Sequence, residues 1–376
     1  MPFLCKYGGG FLAVAVSSFV LGLLLYALSL PASAFAIGLT RHRHHRKDVL
    51  PGAAPSGGCD VFSGGWLYGR QDSDYLRYRW KPAGCELPRF DGADFLTRMK
   101  GKTVMFVGDS LGRNQWESLV CVLHAAAPQS PAQLVSVDPL YSYKFLEYGL
   151  VVSFYRAPYL VDIDMAQRKK VLVCYGWTTS RRTARRGTAR RGADVLSFNS
   201  GHWWTHTGAL QGWDYMGADG RYYEDMDRMV AFQCGMATWA NWVDLNVDPV
   251  KTRVFFQSMS PTHYRTLKSG VIGLSQRMTA LVAGPNATTT AQAATTGQNQ
   301  VIQSTLRSLK NPARLLNITA LSALRKDAHP SVYSGGLTPA QRANPAGGPV
   351  DCSHWCLPGL PDTWNQLFYT LLFFYQ

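Results

Sequence analysis

A serine, a histidine and an aspartate in this chain stand in settings that suit acyl transfer. Gly108-Asp109-Ser110 closes the apolar run Thr103-Val104-Met105-Phe106-Val107, and Leu111, Trp116, Leu119, Val120 and Leu123 follow at helical spacing. Ser110 therefore falls at a strand-to-helix turn. There its hydroxyl is exposed, and the unpaired N–H groups of the helix N-terminus can hold an oxyanion. Over three residues alone, an ordinary turn with a serine cap reads the same way. Far downstream lies Asp351-Cys352-Ser353-His354-Trp355-Cys356. A serine hydroxyl is a poor nucleophile without a base to take its proton. His354 would supply that base, and Asp351, three residues earlier, can bond the other ring nitrogen and fix the tautomer. The two motifs in this order form a far rarer combination than either alone. Ser110, His354 and Asp351 are thus the expected catalytic residues. No metal site is evident: the nine His are scattered and no Cys-x-x-Cys pair occurs. Nor is there a phosphate loop or dinucleotide fingerprint.

Other elements must bring the two motifs together. Val151–Tyr155, Val171–Tyr175, Asp194–Asn199 (running into Gly201) and Arg253–Ser258 read as further strands, Tyr223–Asn246 as a long amphipathic helix and Asp362–Phe374 as a closing helix. Strands alternating with helices predict an α/β sandwich with a mainly parallel sheet. Two tracts fit neither element type: the arginine-rich near-repeat Arg181–Arg191 and the Thr/Ala/Gln-rich Ala287–Gln300. Both are expected to be disordered loops.

The net charge of +14 invites a nucleic-acid reading, but ten of those charges sit in two short tracts, four at Arg41–Lys47 and six at Arg181–Arg191. The body of the protein carries only about +4, which argues against a nucleic-acid partner. Phe11–Leu30 is apolar and no charge interrupts Tyr7–Thr40. That length can span a bilayer, yet Ala32-Ser33-Ala34 also resembles a signal-peptidase site, and the basic residues on its C-terminal side disfavour a cytoplasmic N-terminus. Residues 1–40 are read as a signal anchor or signal peptide and 41–58 as a basic, Gly- and Pro-rich linker. Residues 59–97 follow as a cysteine- and aromatic-rich cap, and 98–376 as the catalytic domain. In either form the body enters the secretory lumen, where disulfides persist. The acceptor triplets at Asn286 and Asn317 agree with that compartment.

Longer motifs narrow the reading. Cys59-Asp60-Val61-Phe62-Ser63-Gly64-Gly65-Trp66, Arg79-Trp80-Lys81-Pro82 and Gly84-Cys85-Glu86-Leu87-Pro88-Arg89-Phe90 resemble segments of the plant trichome birefringence-like family, within the SGNH (GDSL) hydrolase superfamily. So do Val107-Gly108-Asp109-Ser110-Leu111-Gly112-Arg113-Asn114-Gln115, Ser200-Gly201-His202-Trp203-Trp204 and Asp351-Cys352-Ser353-His354-Trp355-Cys356-Leu357-Pro358-Gly359. The resemblance runs with gaps from Cys59 to about Phe374.

That resemblance implies an SGNH-like three-layer sandwich and a Golgi O-acetyltransferase of wall polysaccharide, xylan or pectin. It implies a single-pass type II membrane protein; secretion to the wall is the alternative. Ser110 would carry the acetyl group, with Gly108, Asp109, Arg113, Asn114 and Gly201 as oxyanion or supporting residues. The acetyl donor would be acetyl-CoA or a group relayed by a membrane partner, with no bound cofactor. A wall acetylesterase and a non-catalytic polysaccharide-binding protein are the competing readings. The family pattern pairs Cys59 with Cys85 and Cys234 with Cys356. Three family cysteines are missing here: two between the segments matching Cys59 and Cys85, and one after Ser260-Pro261-Thr262-His263-Tyr264. By that pattern Cys121 and Cys352 would lack partners.

Overall fold

The computed structural model describes residues 64–68, 75–76, 78–166, 169–173, 192–218, 220–263, 296–330 and 351–375. An antiparallel pair, β1 (Gly64–Tyr68) and β2 (Tyr78–Pro82), comes first, with Trp66 opposite Trp80. Helix α1 (Gly92–Arg98) is capped by Asp91, whose carboxylate accepts from Ala93 and Asp94 N–H. It leads into β3 (Thr103–Gly108) and α2 (Ser110–Ala126). A meander of β4 (Ala132–Val137), β5 (Leu140–Phe145) and β6 (Leu150–Arg156) follows, then β7 (Ile163–Ala166), β8 (Lys169–Val173) and β9 (Val195–Phe198). After β10 (Tyr215–Ala218) and β11 (Arg221–Tyr223) come α3 (Arg228–Asn246), β12 (Arg253–Gln257) and α4 (Thr296–Ser308). The chain closes with β13 (Ala313–Leu316), α5 (Thr319–Ala323) and α6 (Leu360–Phe373).

Seven strands form the central sheet in the order β13-β12-β9-β3-β6-β5-β4. β13, β12, β9, β3 and β6 pair in parallel, and β5 and β4 add an antiparallel edge. A smaller sheet runs β11-β10-β8-β7. The Val-, Met- and Phe-rich β3 is buried on both faces, as a central parallel strand must be. Its alternation divides the core. Val104 and Phe106 pack into one apolar cluster with Leu119 and Leu123 of α2 and Trp364 and Phe368 of α6. Met105 and Val107 pack into another with Phe232, Met236 and Trp239 of α3 and Ile302 of α4. Helices therefore cover both faces of a mainly parallel sheet, the expected α/β arrangement. Trp80, Phe95 and Leu96 belong to the first of these clusters.

Two element readings need correction. The helix expected from Tyr223 starts at Arg228, because Asp227 accepts from Met229 and Val230 N–H and fixes the first turn there; Tyr223 pairs in β11 instead. The tract expected to be disordered to Gln300 is helical from Thr296. Its polar residues are held by backbone groups of other loops: Gln298 Nε2 donates to the Gly201 carbonyl at 3.0 Å, and Asn299 Oδ1 accepts from Met259 N–H at 3.0 Å. Arg181–Arg191 and the apolar stretch Phe11–Leu30 lie outside the described residues. Among those residues no helix is long and apolar enough to cross a membrane.

Candidate acyl-transfer site

Sheet topology explains where the site lies. From β3 the chain reaches β6 on one side, then returns to place β9, β12 and β13 on the other. In open parallel sheets the crevice at the carboxyl ends of the strands, where the order diverges, is the ligand site. Ser110 sits there, at the first position of α2. Asp109 caps that helix through a 2.9 Å bond from Leu111 N–H. The first main-chain bond of the helix runs from Arg113 N–H to the Asp109 carbonyl. The N–H groups of Ser110 and Gly112 thus stand in the first turn, without acceptors inside the helix.

Ser110 is exposed, and its Oγ lies 2.7 Å from Nε2 of His354. Nδ1 of His354 lies 2.8 Å from Asp351 Oδ2. The other carboxylate oxygen, Oδ1, accepts from Ser353 N–H, Ser353 Oγ and His354 N–H, each at 3.0 Å. One tight turn thus delivers both groups, as the three-residue spacing predicted. Burial pushes the Asp351 carboxyl up. The bonds from the His354 ring and from the His354 and Ser353 N–H groups outweigh it, holding the carboxyl well below the usual range. The bond to Asp351 raises His354 above an ordinary imidazole. Burial opposes this, and the charges of Asp351, Asp109 and Glu117 add to it. A hydroxyl, a neutral imidazole that can take its proton and a carboxylate that stabilises the resulting imidazolium are the parts needed for acyl transfer.

Supporting residues surround these three. Asn114, one turn along α2, accepts from Trp355 N–H at 3.1 Å, and its amide donates to the Trp355 carbonyl at 3.4 Å. It ties the nucleophile helix to the loop that carries His354. Arg113 pairs with Glu117 at 2.9 Å and lies 5.3 Å from the Tyr141 ring centroid. Burial raises Glu117, and Arg113 opposes the rise. Gly201 adopts φ +145°, and a Cβ there would run into the Met259 sulfur. His202 Nε2–H donates to the Ser260 carbonyl, 2.8 Å away. Desolvation lowers its pKa, countered by the charge of Asp109.

Asn199 is a site residue that the sequence reading missed. The register pairs Val107 of β3 with Phe198 of β9, so Asn199, just beyond β9, comes beside Gly108, the last residue of β3. The Asn199 amide donates to Asp109 Oδ1. Its carboxamide fills the space over Gly108 and Gly112, where a Cβ would collide with it. The only sequence signal was its position at the end of a predicted strand.

The comparisons bear on what such a site does. Residues 87–371 match the PC-Esterase model, described as a GDSL/SGNH-like acyl-esterase family found in Pmr5 and Cas1p. The chain is 44% identical to trichome birefringence-like 39 of Arabidopsis thaliana, over 85% of this chain and 88% of that one. It is 43% identical to trichome birefringence-like 38 of the same plant, over 84% of each. The chain belongs to the trichome birefringence-like family. Within this family member, Ser110, Asp351 and His354 all fall inside the matched acyl-esterase region and meet at one point of the fold.

The cysteines depart from the expected pairing. Cys85, Cys121 and Cys234 are disulfide-bonded, whereas Cys352 and Cys356 carry free thiols. Cys234 therefore does not pair with Cys356, and Cys121 is not an orphan. Burial pushes both free thiols up to about 11, with the Asp351 charge adding to it, so neither is a thiolate near neutral pH. Of the two glycosylation triplets, Asn286 lies outside the described residues. Asn317 is half-buried, and its Oδ1 accepts from Ser258 Oγ at 3.3 Å. Cys59 also lies outside the described residues. Among those residues no group of three or more His, Cys, Asp or Glu side chains could hold a metal.

Proposed function

We propose that this protein is a polysaccharide O-acetyltransferase that works through an acetyl-serine at Ser110. The observation that carries the reading is the continuous chain Ser110 Oγ, His354 Nε2, His354 Nδ1, Asp351 Oδ2, with links of 2.7 and 2.8 Å. In the first half-reaction His354 takes the hydroxyl proton as Oγ attacks the acetyl carbonyl. The oxyanion forms against the first turn of α2, where the Ser110 N–H is the nearest candidate donor. Asp351 stabilises the imidazolium, which then protonates the leaving group of the donor. In the second half-reaction a sugar hydroxyl gives its proton to His354 as it attacks the acetyl carbonyl, and the imidazolium returns that proton to Ser110 Oγ as the ester bond to serine breaks. The acetyl donor is acetyl-CoA or an acetyl group relayed by a membrane partner. The half-exposed Trp203, beside His206 at 5.2 Å between ring centroids, offers an aromatic face to the sugar ring at the same sheet edge. We place the protein in the Golgi lumen, anchored through Phe11–Leu30, with xylan or pectin as acceptor.

A second reading is hydrolysis. Ser110 is exposed and the His354 side chain is 38% exposed, so water reaches the same acyl-enzyme. Incubation with a labelled acetyl donor and xylan or pectin oligomers separates the two. Transfer predominates on the present reading, and release of free acetate with no acetylated oligomer would establish the esterase instead.

A further inference from the structure

The His354 imidazole faces Ser110, but its main-chain carbonyl is engaged elsewhere, lying 2.6 Å from Nδ1 of His329. Nε2 of His329 lies 2.6 Å from Nδ1 of His263, and Nε2 of His263 lies 3.1 Å from the Ala323 carbonyl. The same two residues grip the catalytic loop at further points. The His263 N–H donates to the Cys352 carbonyl at 3.0 Å, and the His329 ring stacks on Trp355 with centroids 3.8 Å apart. His329 is 5% exposed.

Counting protons fixes the direction of these bonds. Three contacts each need one N–H, and two neutral imidazoles carry only two. The carbonyls can only accept. Two lone pairs cannot face each other at 2.6 Å, and a bare nitrogen cannot sit 2.6 Å from a carbonyl oxygen. The missing proton therefore falls on the longest contact, His263 Nε2 with Ala323. Both rings then carry their proton on Nδ1: His263 donates to His329, and His329 donates to the carbonyl of His354. Burial lowers His263 to about 4 and His329 to about 3, which keeps both neutral near pH 7.

We propose that His263 and His329 are positioning residues, a directed two-imidazole relay that sets the backbone of the His354 loop and so holds its Nε2 against Ser110. The proposal rests on the acyl-transfer reading of Ser110, His354 and Asp351. A partner that orients an active-site imidazole acts on the rate of the chemical step and leaves substrate binding nearly unchanged.

Asn and Gln substitutions of His329 test it, because a shortened amide places an N–H near the Nδ1 position and a longer one places it near Nε2. His329→Gln slows acylation of Ser110 by an activated acetyl ester roughly 10–100-fold, while the half-saturating ester concentration shifts by no more than about twofold. His329→Asn recovers most of that loss. Long-range proton–nitrogen spectra of the full chain, labelled at histidine, read the wild-type tautomers directly and show Nδ1–H on both rings. A wild-type protein that is never acylated overturns the acyl-transfer reading and, with it, the kinetic role. Wild-type acylation combined with an Nε2–H tautomer on His329 overturns the relay alone. So does equal slowing in the Asn and Gln variants, or a loss that appears in half-saturation.

Discussion

At the level of single side chains, the account turns on the protonation of His354. Its bond to Asp351 raises it above an ordinary imidazole, and it must be neutral to accept the Ser110 proton. Acylation should therefore rise with pH along a limb centred above the ordinary imidazole value of about 6.5. Measured acylation rates from pH 5 to 9 check this, and a limb at or below that value would contradict it. Asp351→Asn removes the charge that raises His354, and the amide no longer selects the productive tautomer. The limb moves down, and the plateau rate falls by about 10³–10⁴-fold. Ser110→Ala removes acylation altogether. The substitution deletes one exposed oxygen, so thermal unfolding should change little.

At the level of elements, two contacts hold the nucleophile turn. The Asn199 carboxamide covers Gly108 and Gly112, and a Cβ at either position would strike it. Gly112→Ala should displace Asn199 and its bond to Asp109. Overpacking a tight core position costs about 1–3 kcal/mol, and kcat falls as well. Chemical denaturation and acylation kinetics together check the pair of effects. Asn114→Ala leaves the buried Trp355 N–H without its acceptor, a loss of about 1–3 kcal/mol. This side of the architecture was only partly readable in the sequence. Long apolar runs such as Thr103–Val107 and the spacing of α2 predicted their elements directly, because local periodicity carries that information. Asn199 was not readable, since its role depends on β9 lying beside β3, a fact of sheet order. The burial of Gln298 and Asn299 was hidden for a related reason: a polar tract looks disordered until the backbone groups that it satisfies are known.

Across the whole molecule, buried histidines shape the response to acid: His202 is lowered on folding, as are His263 and His329. The unfolded chain therefore binds more protons than the folded one between the ordinary imidazole value and the folded values. Their contribution to stability is complete above about pH 6.5. It is lost as pH falls towards 4, with a slope of at most about 1.4 kcal/mol per pH unit for each ring. His354, raised on folding, works in the opposite sense: its contribution is complete below the ordinary value and fades as pH rises through the folded one. Denaturant titrations at pH 7, 6 and 5 should show a falling midpoint, and His329→Asn should flatten that fall. The α/β class and the union of Ser110 with Asp351 and His354 were legible before any coordinates, because motif order and a three-residue spacing constrain them. The cysteine pattern was not, since missing partners leave the remaining pairings open to the fold. The most direct test of the central claim is mass spectrometry of the intact and digested protein after incubation with an acetyl donor. The account expects one added acetyl group on the peptide that contains Ser110, present in wild type and missing in Ser110→Ala. An acetyl group that persists in Ser110→Ala, or a wild-type protein that turns over donor without ever carrying acetyl on that peptide, would contradict it.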